Sequence, residues 1–560
     1  MDIRINIESV GELTVPAGTA LAELAARYPN ACGHSILLAK LNNELRELGF
    51  VLTEDWDGSY IEFLDITDPG AMRAYQRSIA LLMICAAKKI LGKKTRVVIH
   101  HSINKNFFCN IPEFQDESGQ VGAGVLERVE ALMNEMAAQN LPIERCTMPV
   151  ETCQRLALEF GLDDKAELLR YRRTSTTSFY RLDGYYDYFY GPMLTGTGEL
   201  KAFRLRGAEN GFLLCFPNNK NRANPYIIEE PAVLTKISQV FEESARWGEI
   251  LKVDTVAALN AHICNGTITN IIHISEALHD KKLARIAEDI CLRNKRLVLI
   301  SGPSSSGKTT FAHRLFIALS VNGARPKVVS LDNYYLERER VPLDEFGQPD
   351  LEALDALDIP QINYDLTHLL NGETAEIPRF NFLTGKREQH GVPLRLEDDG
   401  ILILEGIHGL NERLTASIPR DKKFKIFISA LTQLNIDDHN RIPTTDSRLI
   451  RRIVRDNQFR AADAARTIAM WPSVLRGEDK YIFPFQEEAD ATFNSALVYE
   501  MCVLKQFADP LLFKVARELP EYTEARRLIR FLDSFLVVSS ELVLPNSLLR
   551  EFIGGSCFAI

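Results

Sequence analysis

The stretch Leu297-Val-Leu-Ile-Ser301-Gly302-Pro303-Ser304-Ser305-Ser306-Gly307-Lys308-Thr309-Thr310 decides the fold of the second half of this chain. Its opening run is apolar and branched, the pattern of a strand buried in a parallel sheet. Gly302 to Thr309 then spell G-x-x-x-x-G-K-T. The glycines let backbone N–H groups curl round phosphate oxygens, Lys308 reaches β/γ-phosphates, and the Thr309 hydroxyl ligates Mg²⁺. Residues 310–321 read as a helix whose N-terminal dipole faces the anion. Gly302 to Thr310 are therefore the candidate nucleotide-binding residues, with an ordinary glycine turn as the alternative for the same letters.

Working outward, a second buried strand, Ile401-Leu-Ile-Leu404, ends at Glu405-Gly406. Loops at the carboxyl ends of parallel strands face the ligand crevice, so Glu405 is placed to support a metal beside Thr309, or is a surface glutamate at a strand end. A third strand, Pro326-Lys-Val-Val-Ser-Leu331, delivers Asp332 to the same edge. A carboxylate there takes a proton from an attacking hydroxyl, or caps a helix or supports the metal from behind its ligands. Arg448, Arg451, Arg452 and Arg455 stand at offsets of 0, 3, 4 and 7, one helical face. Like charges at that spacing repel unless an anion is present, which makes the helix a candidate lid over a triphosphate. The alternative is a solvated basic face pairing with Asp446 and Asp456.

Composition sets the frame. The chain has 560 residues, too many for one compact core, and its 46% apolar and 25% charged residues exclude a disordered or fibrous protein. The longest apolar run, residues 79–87, is far short of the roughly 20 residues that cross a bilayer, and the start alternates like a strand without a signal pattern. A cytoplasmic protein with no membrane partner is expected. Ten cysteines without a C-x-x-C pair suit reduced, buried thiols. Net charge −10 opposes sequence-independent binding to nucleic acid, which would require a local basic patch.

The patterning divides the chain into five units. Residues 1–64 read as strands at 3–7, 12–15, 35–41 and 60–63 around a helix at 20–26, a small β-grasp module. Residues 65–220 open with a helix over 69–90, bounded by Asp68-Pro69 and Gly92, then a strand at 96–101. Helical spacing runs over 113–168, and an aromatic, threonine-rich β region over 171–189. The turn-rich 215–225 places a boundary near 220, and helices at 229–247 and 274–293 make 221–290 a connector. Residues 291–495 carry the phosphate-binding loop. Residues 496–560 read as helices at 496–507, 522–535 and 547–553, ending in the apolar Cys557-Phe-Ala-Ile560, which is expected to dock on another domain or a second copy.

Taken together, the blocks at about 295–495 resemble the uridine kinase and phosphoribulokinase family of P-loop kinases. Ser330-Leu-Asp332-Asn-Tyr334-Tyr335 is similar to that family's Ser-x-Asp-x-aromatic-Tyr block, which implies Asp332 as the base. Asp446-Ser-Arg448-Leu-Ile-Arg451-Arg452-Ile-Val-Arg455-Asp456 is similar to its lid segment, which implies Arg452 and Arg455 on the transferring phosphate. The acceptor blocks depart from it. Leu351-Glu352 stands where Phe-Asp is expected, and Pro378-Arg-Phe380-Asn381-Phe382-Leu-Thr-Gly385-Lys-Arg387 lacks the phenol and imidazole that read a pyrimidine. Tyr335, Glu352, Phe380 and Arg387 remain the substrate candidates. The front of the chain resembles threonyl-tRNA synthetase, residues 1–64 its TGS module and 65–220 its editing region. The editing histidines and cysteine are replaced: Arg77 and Leu81 for His-x-x-x-His, and Phe189-Tyr-Gly191-Pro192-Met193 for Cys-x-Gly-Pro-His. Hydrolytic editing is not expected, and His100-His101 reads as strand structure.

The fold expected is a multidomain chain, an α/β P-loop kinase with a parallel sheet preceded by β-grasp and α+β modules. The resemblance implies ATP- and Mg²⁺-dependent phosphorylation of a nucleoside 5′-hydroxyl, base unspecified. The alternatives are another small alcohol, such as a sugar phosphate or a pantothenate-like acid, or an ATP-switched regulatory protein that binds tRNA or a nucleotide. Arg379, Lys386 and Arg387 would serve a phosphorylated acceptor.

Overall fold

Alternating apolar residues at the N-terminus build a mixed five-stranded sheet. In this computed structural model, which describes residues 1–558 apart from 104, 117–118, 219–222, 231–234, 382–383 and 433, its strands are β1 (Asp2–Ile7), β2 (Gly11–Pro16), β3 (Leu38–Leu41), β4 (Glu44–Glu47) and β5 (Ser59–Leu64). Their order is β2-β1-β5-β3-β4, and helix α1 (Leu21–Arg27) packs on one face over Ile3, Ile5 and Ile61. The strand expected over 35–41 begins only at Leu38, and β4 was not anticipated because its residues are all half-exposed and carry no period-2 signal.

The long helix α2 (Pro69–Leu91) starts where Asp68 accepts the N–H groups of Gly70 and Ala71, and stops at Gly92. It is buried along most of its length, so its apolar run is core. Around it lie β6 (Val98–Ile103), β7 (Asn106–Asn110), α3 (Ala123–Ala138), β8 (Ile143–Pro149), α4 (Val150–Glu159) and α5 (Asp163–Leu169). They are followed by β9 (Thr176–Leu182), β10 (Tyr185–Asp187), β11 (Arg204–Ala208) and β12 (Gly211–Cys215). The helical reading of 113–168 is corrected here: β8 interrupts it and pairs with β9. Only Ile143 of β8 is fully buried, which removed the alternation that marks a strand. The boundary expected near 220 falls on 219–222, outside the described residues.

Helices α6 (Thr235–Leu251), α7 (Val256–Cys264) and α8 (Ile268–Leu292) lead into the second half. There β13 (Leu297–Ser301) runs into α9 (Lys308–Val321), followed by β14 (Arg325–Ser330) and α10 (Ile359–Leu370). Two small hairpins use β15 (Thr374–Ile377), β16 (Phe380–Asn381), β17 (Lys386–Arg387) and β18 (Val392–Arg395). Then come β19 (Gly400–Glu405), β20 (Lys423–Ser429), the hairpin β21 (Asn435–Asp437) and β22 (Asn440–Arg441), α11 (Thr444–Phe459), α12 (Ala464–Tyr481) and β23 (Ala491–Asn494). Strands β14-β19-β13-β20-β23, in that order, form an all-parallel sheet with apolar cores on both faces. That explains why β13, β19 and β20 are buried at every position.

The chain ends in α13 (Glu500–Phe513), α14 (Tyr522–Leu532) and α15 (Arg550–Ile553), later starts than the spacing predicted for the first and last. Phe558 stacks on His313 of α9 at 5.6 Å, while Cys557 before it is exposed; the last two residues of the apolar tail, 559–560, lie outside the described residues. A buried polar cluster joins the two halves: Lys165 Nζ meets His439 Nδ1 at 2.8 Å and also pairs with Asp187, while Asn440 donates to the Tyr188 carbonyl at 2.9 Å. Among the described residues no helix is long and apolar enough to cross a membrane.

Candidate active site

The turn after β13 is shaped by what cannot fit there. A Cβ on Gly302 would lie 2.2 Å from the Ile428 carbonyl oxygen, and Gly307 takes φ +84°, the left-handed region that favours glycine. Ser305 also holds a left-handed φ of 58°, and its hydroxyl and that of Ser306 are buried without a partner. Such strain persists where the surroundings over-determine it, here a loop whose N–H groups must converge. Lys308 Nζ folds back on the Gly302 and Pro303 carbonyls at 3.0 and 3.1 Å, and burial lowers its pKa.

The parallel sheet brings the carboxylates to this edge. Glu405 ends β19, buried, and its pKa is pushed up to about 7 by burial and then by the charge of Asp332. Asp332 sits in the turn after β14, where Ser330 rather than Asp332 caps, its hydroxyl accepting from the Asp332 N–H at 3.3 Å. The helix-cap alternative for Asp332 therefore falls. Its pKa is raised by burial against the opposing charges of Lys308, Arg460 and Arg455. Glu352 is pushed up to about 7 by burial and Glu478, with Arg452 and Lys308 pulling the other way. Carboxylates that raise one another's pKa across a lysine form a site in want of a cation or a proton donor. Glu405 and the Thr309 hydroxyl fit Mg²⁺ in donor type. Among the described residues, no group of three or more His, Cys, Asp or Glu side chains could hold a metal by itself.

Helix α11 does not present its arginines alike. Arg448 and Arg451 are buried and grip the loop itself, donating to the Ser304 carbonyl at 2.9 Å and the Ser305 carbonyl at 3.2 Å while pairing with Glu478 and Glu500. Arg452 donates to the Ser304 hydroxyl at 2.9 Å and to Asp456 at 3.1 Å. Arg455 donates to Asp456 at 3.3 Å and stands 3.9 Å from Glu551. The expected shared face is real as a spacing, but two of its four members build the loop. Asp446 pairs with Arg527 of α14 at 2.6 and 2.8 Å, not with its own helix.

The substrate candidates divide as well. Tyr335 and Phe380 pack with ring centres 5.8 Å apart, and the charges of Asp332 and Glu352 both act on the Tyr335 phenol, whose pKa is raised first by burial. Arg387 instead spends its guanidinium on Asp358 at 3.0 Å and on the Tyr334 and Tyr335 carbonyls at 3.0 and 3.2 Å, which positions that segment. Phe382 lies outside the described residues. The sequence reading missed two carboxylates. Glu478 accepts the Ser304 N–H at 2.8 Å, and Glu551 of α15 accepts both the N–H and the hydroxyl of Thr310, at 3.1 and 2.9 Å. No local spacing signals Glu551, which lies 241 residues from its partner.

In the front half, the positions of the lost editing groups are packed or tied to backbone. Leu81, Phe189 and Met193 are buried, Arg77 donates to the Pro192 carbonyl at 2.6 Å, and Tyr180 donates to the Gly191 carbonyl at 3.0 Å. His101 stacks between Phe108 and Phe241, as strand structure.

Comparison with known proteins fits each half separately. Residues 297–500 match the Phosphoribulokinase / Uridine kinase family. The N-terminal part is similar to threonine–tRNA ligases, 27% identical over 229 residues to that of Syntrophotalea carbinolica and 30% over 203 residues to that of Pelobacter propionicus. These matches cover 38% and 36% of this chain and 34% and 31% of those proteins, so the chain spans about a third of the length of the curated relatives it matches. Among solved structures, a putative fructose transport system kinase from Silicibacter sp. aligns at 19% identity and TM-score 0.27 over 38% of this chain and 98% of that one. A possible uridine kinase from Bacillus stearothermophilus aligns at 16% and 0.24 over 36% and 89%.

Proposed function

We propose that this protein transfers the γ-phosphoryl group of ATP to a hydroxyl of a small acceptor, with a nucleoside 5′-hydroxyl as the first choice. One observation carries the reading: Lys308, Asp332, Glu405 and Glu352, distant in sequence, interact at one edge of the parallel sheet beside a loop shaped for phosphate. In the reaction Asp332 orients the acceptor hydroxyl and takes its proton as the new O–P bond forms and ADP leaves. Lys308 and the loop N–H groups hold the phosphates, and Arg452 and Arg455 offset charge on the moving group. Thr309 and Glu405 would hold Mg²⁺, which supplies charge neutralisation between phosphates. Glu352, with Tyr335 and Phe380 beside it, lines the acceptor end.

The test is turnover of the purified chain with ATP and Mg²⁺ against nucleosides, a sugar phosphate and pantothenate. Phosphorylation of a nucleoside supports the reading, and ATP binding with no turnover of any acceptor overturns it. Turnover confined to the sugar phosphate or pantothenate keeps the kinase and replaces the nucleoside. A second reading, an ATP-switched regulatory protein, is favoured by Glu551 alone, because its carboxylate holds the Thr310 N–H that a nucleotide phosphate would take.

A further inference from the structure

The hairpin of β21 and β22 is too small to hold itself. Strands of three and two residues joined by a turn are marginal in water, so its shape is set by what grips it. Within the second half, Ile436 joins the apolar core that also holds Val256 of α7 and Leu449 of α11, and the Asn435 N–H donates to the Asp254 carbonyl at 3.1 Å. The front half takes up the polar groups that remain. Asn435 donates through its side chain to the Ile99 carbonyl at 2.9 Å, and the Ile99 N–H donates back to the Asp438 carbonyl at 2.8 Å. Arg96 forks onto the Asp438 carboxylate at 2.7 and 2.8 Å. His439 Nδ1 meets Asp187 at 2.7 Å beside Lys165, and Asn440 donates to the Tyr188 carbonyl at 2.9 Å.

This hairpin leads straight into α11, with Ile442 and Pro443 between it and Thr444. The first turn of α11 is held a second time. Arg527 of α14 forks onto Asp446 at 2.6 and 2.8 Å and also pairs with Glu524, which meets Arg73 of α2 at 3.1 Å. The N-terminal end of α11 is therefore fastened to the front half on two sides, by β6, α5 and β10 through the hairpin and by α2 through α14. Lys165, Asp187 and His439 are buried. Buried ion pairs return little stability for their desolvation, and their best-attested use is to fix one arrangement among several.

We infer that the front half positions α11 for phosphoryl transfer, with Arg96, Asp187 and Arg73 as positioning residues. The inference rests on the phosphoryl-transfer reading, which gives Arg452 and Arg455 their task. Arg452 lies about 12 Å along the helix axis from Thr444. A tilt of about 5° at the fastened end shifts it by about 1 Å, and misplacement on that scale can cost about a hundredfold in rate. The phosphate-binding loop is tied to the same helix, because Arg448 and Arg451 donate to the Ser304 and Ser305 carbonyls. The front half then contributes geometry to the site and no reacting group.

Amide hydrogen exchange and steady-state kinetics of the full chain test this. The variants belong at the rim of the two fastenings, since a change at buried Lys165 or Asp187 strands a charge and endangers the fold. Arg96→Met cuts the first link and Arg73→Met the second, both at partly exposed side chains. In Arg96→Met the amides of 444–451 are expected to exchange about tenfold faster while those of β13 keep their wild-type rates. Turnover per nucleotide-binding site should fall about tenfold, with ATP affinity changed less than about threefold. That loss should vanish in an Arg452→Met background, because the arginine being positioned is gone, whereas a general loss of stability would add to it. If Arg96→Met does not fold, Arg73→Met is expected to show the same pattern. Unchanged exchange in α11, unchanged turnover, or turnover losses of Arg96→Met and Arg452→Met that simply add, overturns the inference. A wild-type chain that phosphorylates no acceptor overturns the kinase reading alone, and exchange over 444–451 then still decides whether the front half fixes the helix.

Discussion

The two halves of the molecule treat the positions that correspond to the functional blocks of similar families in opposite ways. At the edge of the parallel sheet, Asp332, Glu405 and Glu352 are crowded round Lys308, and their protonation is disturbed by burial and by one another. At the editing-like positions, Leu81, Phe189 and Met193 are ordinary core. Perturbed, crowded charge is the mark of a candidate functional site, whereas apolar packing at the editing-like positions is what a structural role requires. Beside these positions Arg527 of α14 pairs with Asp446 of the helix that grips the phosphate-binding loop.

The comparison breaks most visibly with pH. Glu405 and Glu352 titrate near 7 in the folded chain against about 4.5 when unfolded, so the native state keeps protons that the unfolded chain has released between those values. Apo stability therefore falls as pH rises through that window, by about 3 kcal/mol for Glu405. In the proposed reaction activity runs the other way, because Mg²⁺ needs Glu405 ionised: for that single ionisation we expect kcat/KM to drop about tenfold per unit below pH 7, some hundredfold by pH 5. Glu405→Gln should remove Glu405's share of the stability decline in thermal melts, leaving that of Glu352, and abolish the Mg²⁺ dependence. A flat rate profile from pH 8 to 6 would contradict the assignment.

A smaller effect sharpens the contrast at the loop itself. Glu551 competes with a nucleotide phosphate for the Thr310 N–H, so Glu551→Ala should tighten ATP binding roughly tenfold, about 1.4 kcal/mol, in a calorimetric titration. Weaker binding would make Glu551 part of the nucleotide site. Smallest of all, Arg387→Ala should cost about 1–2 kcal/mol of stability through its lost bonds to Asp358 and to the Tyr334 and Tyr335 carbonyls. The KM of the acceptor should change less than about threefold, and a steep rise for an anionic acceptor alone would return Arg387 to the substrate.

What could be read from the sequence was what a short period encodes. The buried strand, its glycine turn and the helix after it are local, and so are Asp68 and Gly92 at the ends of α2. Strand β8 escaped because it buries one residue firmly, and β4 because it buries none. In the candidate site, Lys308, Thr309, Asp332 and Glu405 can be placed from strand ends. The different fates of Arg448 and Arg452 cannot, since spacing sets a face but not what meets it. Glu478 and Glu551 reach the loop through tertiary packing alone, and no pattern of neighbours marks them.

If the sheet edge is a working phosphoryl-transfer site, Asp332 is its base. Steady-state kinetics of Asp332→Asn, with ATP affinity measured on the same preparation, test this most directly. The change keeps the side chain's shape and removes its proton acceptance, so kcat should fall by about 10²–10⁴ with ATP affinity nearly unchanged. Lys308→Ala, by contrast, should lose binding and turnover together. Turnover by Asp332→Asn within about tenfold of wild type would contradict that role for Asp332.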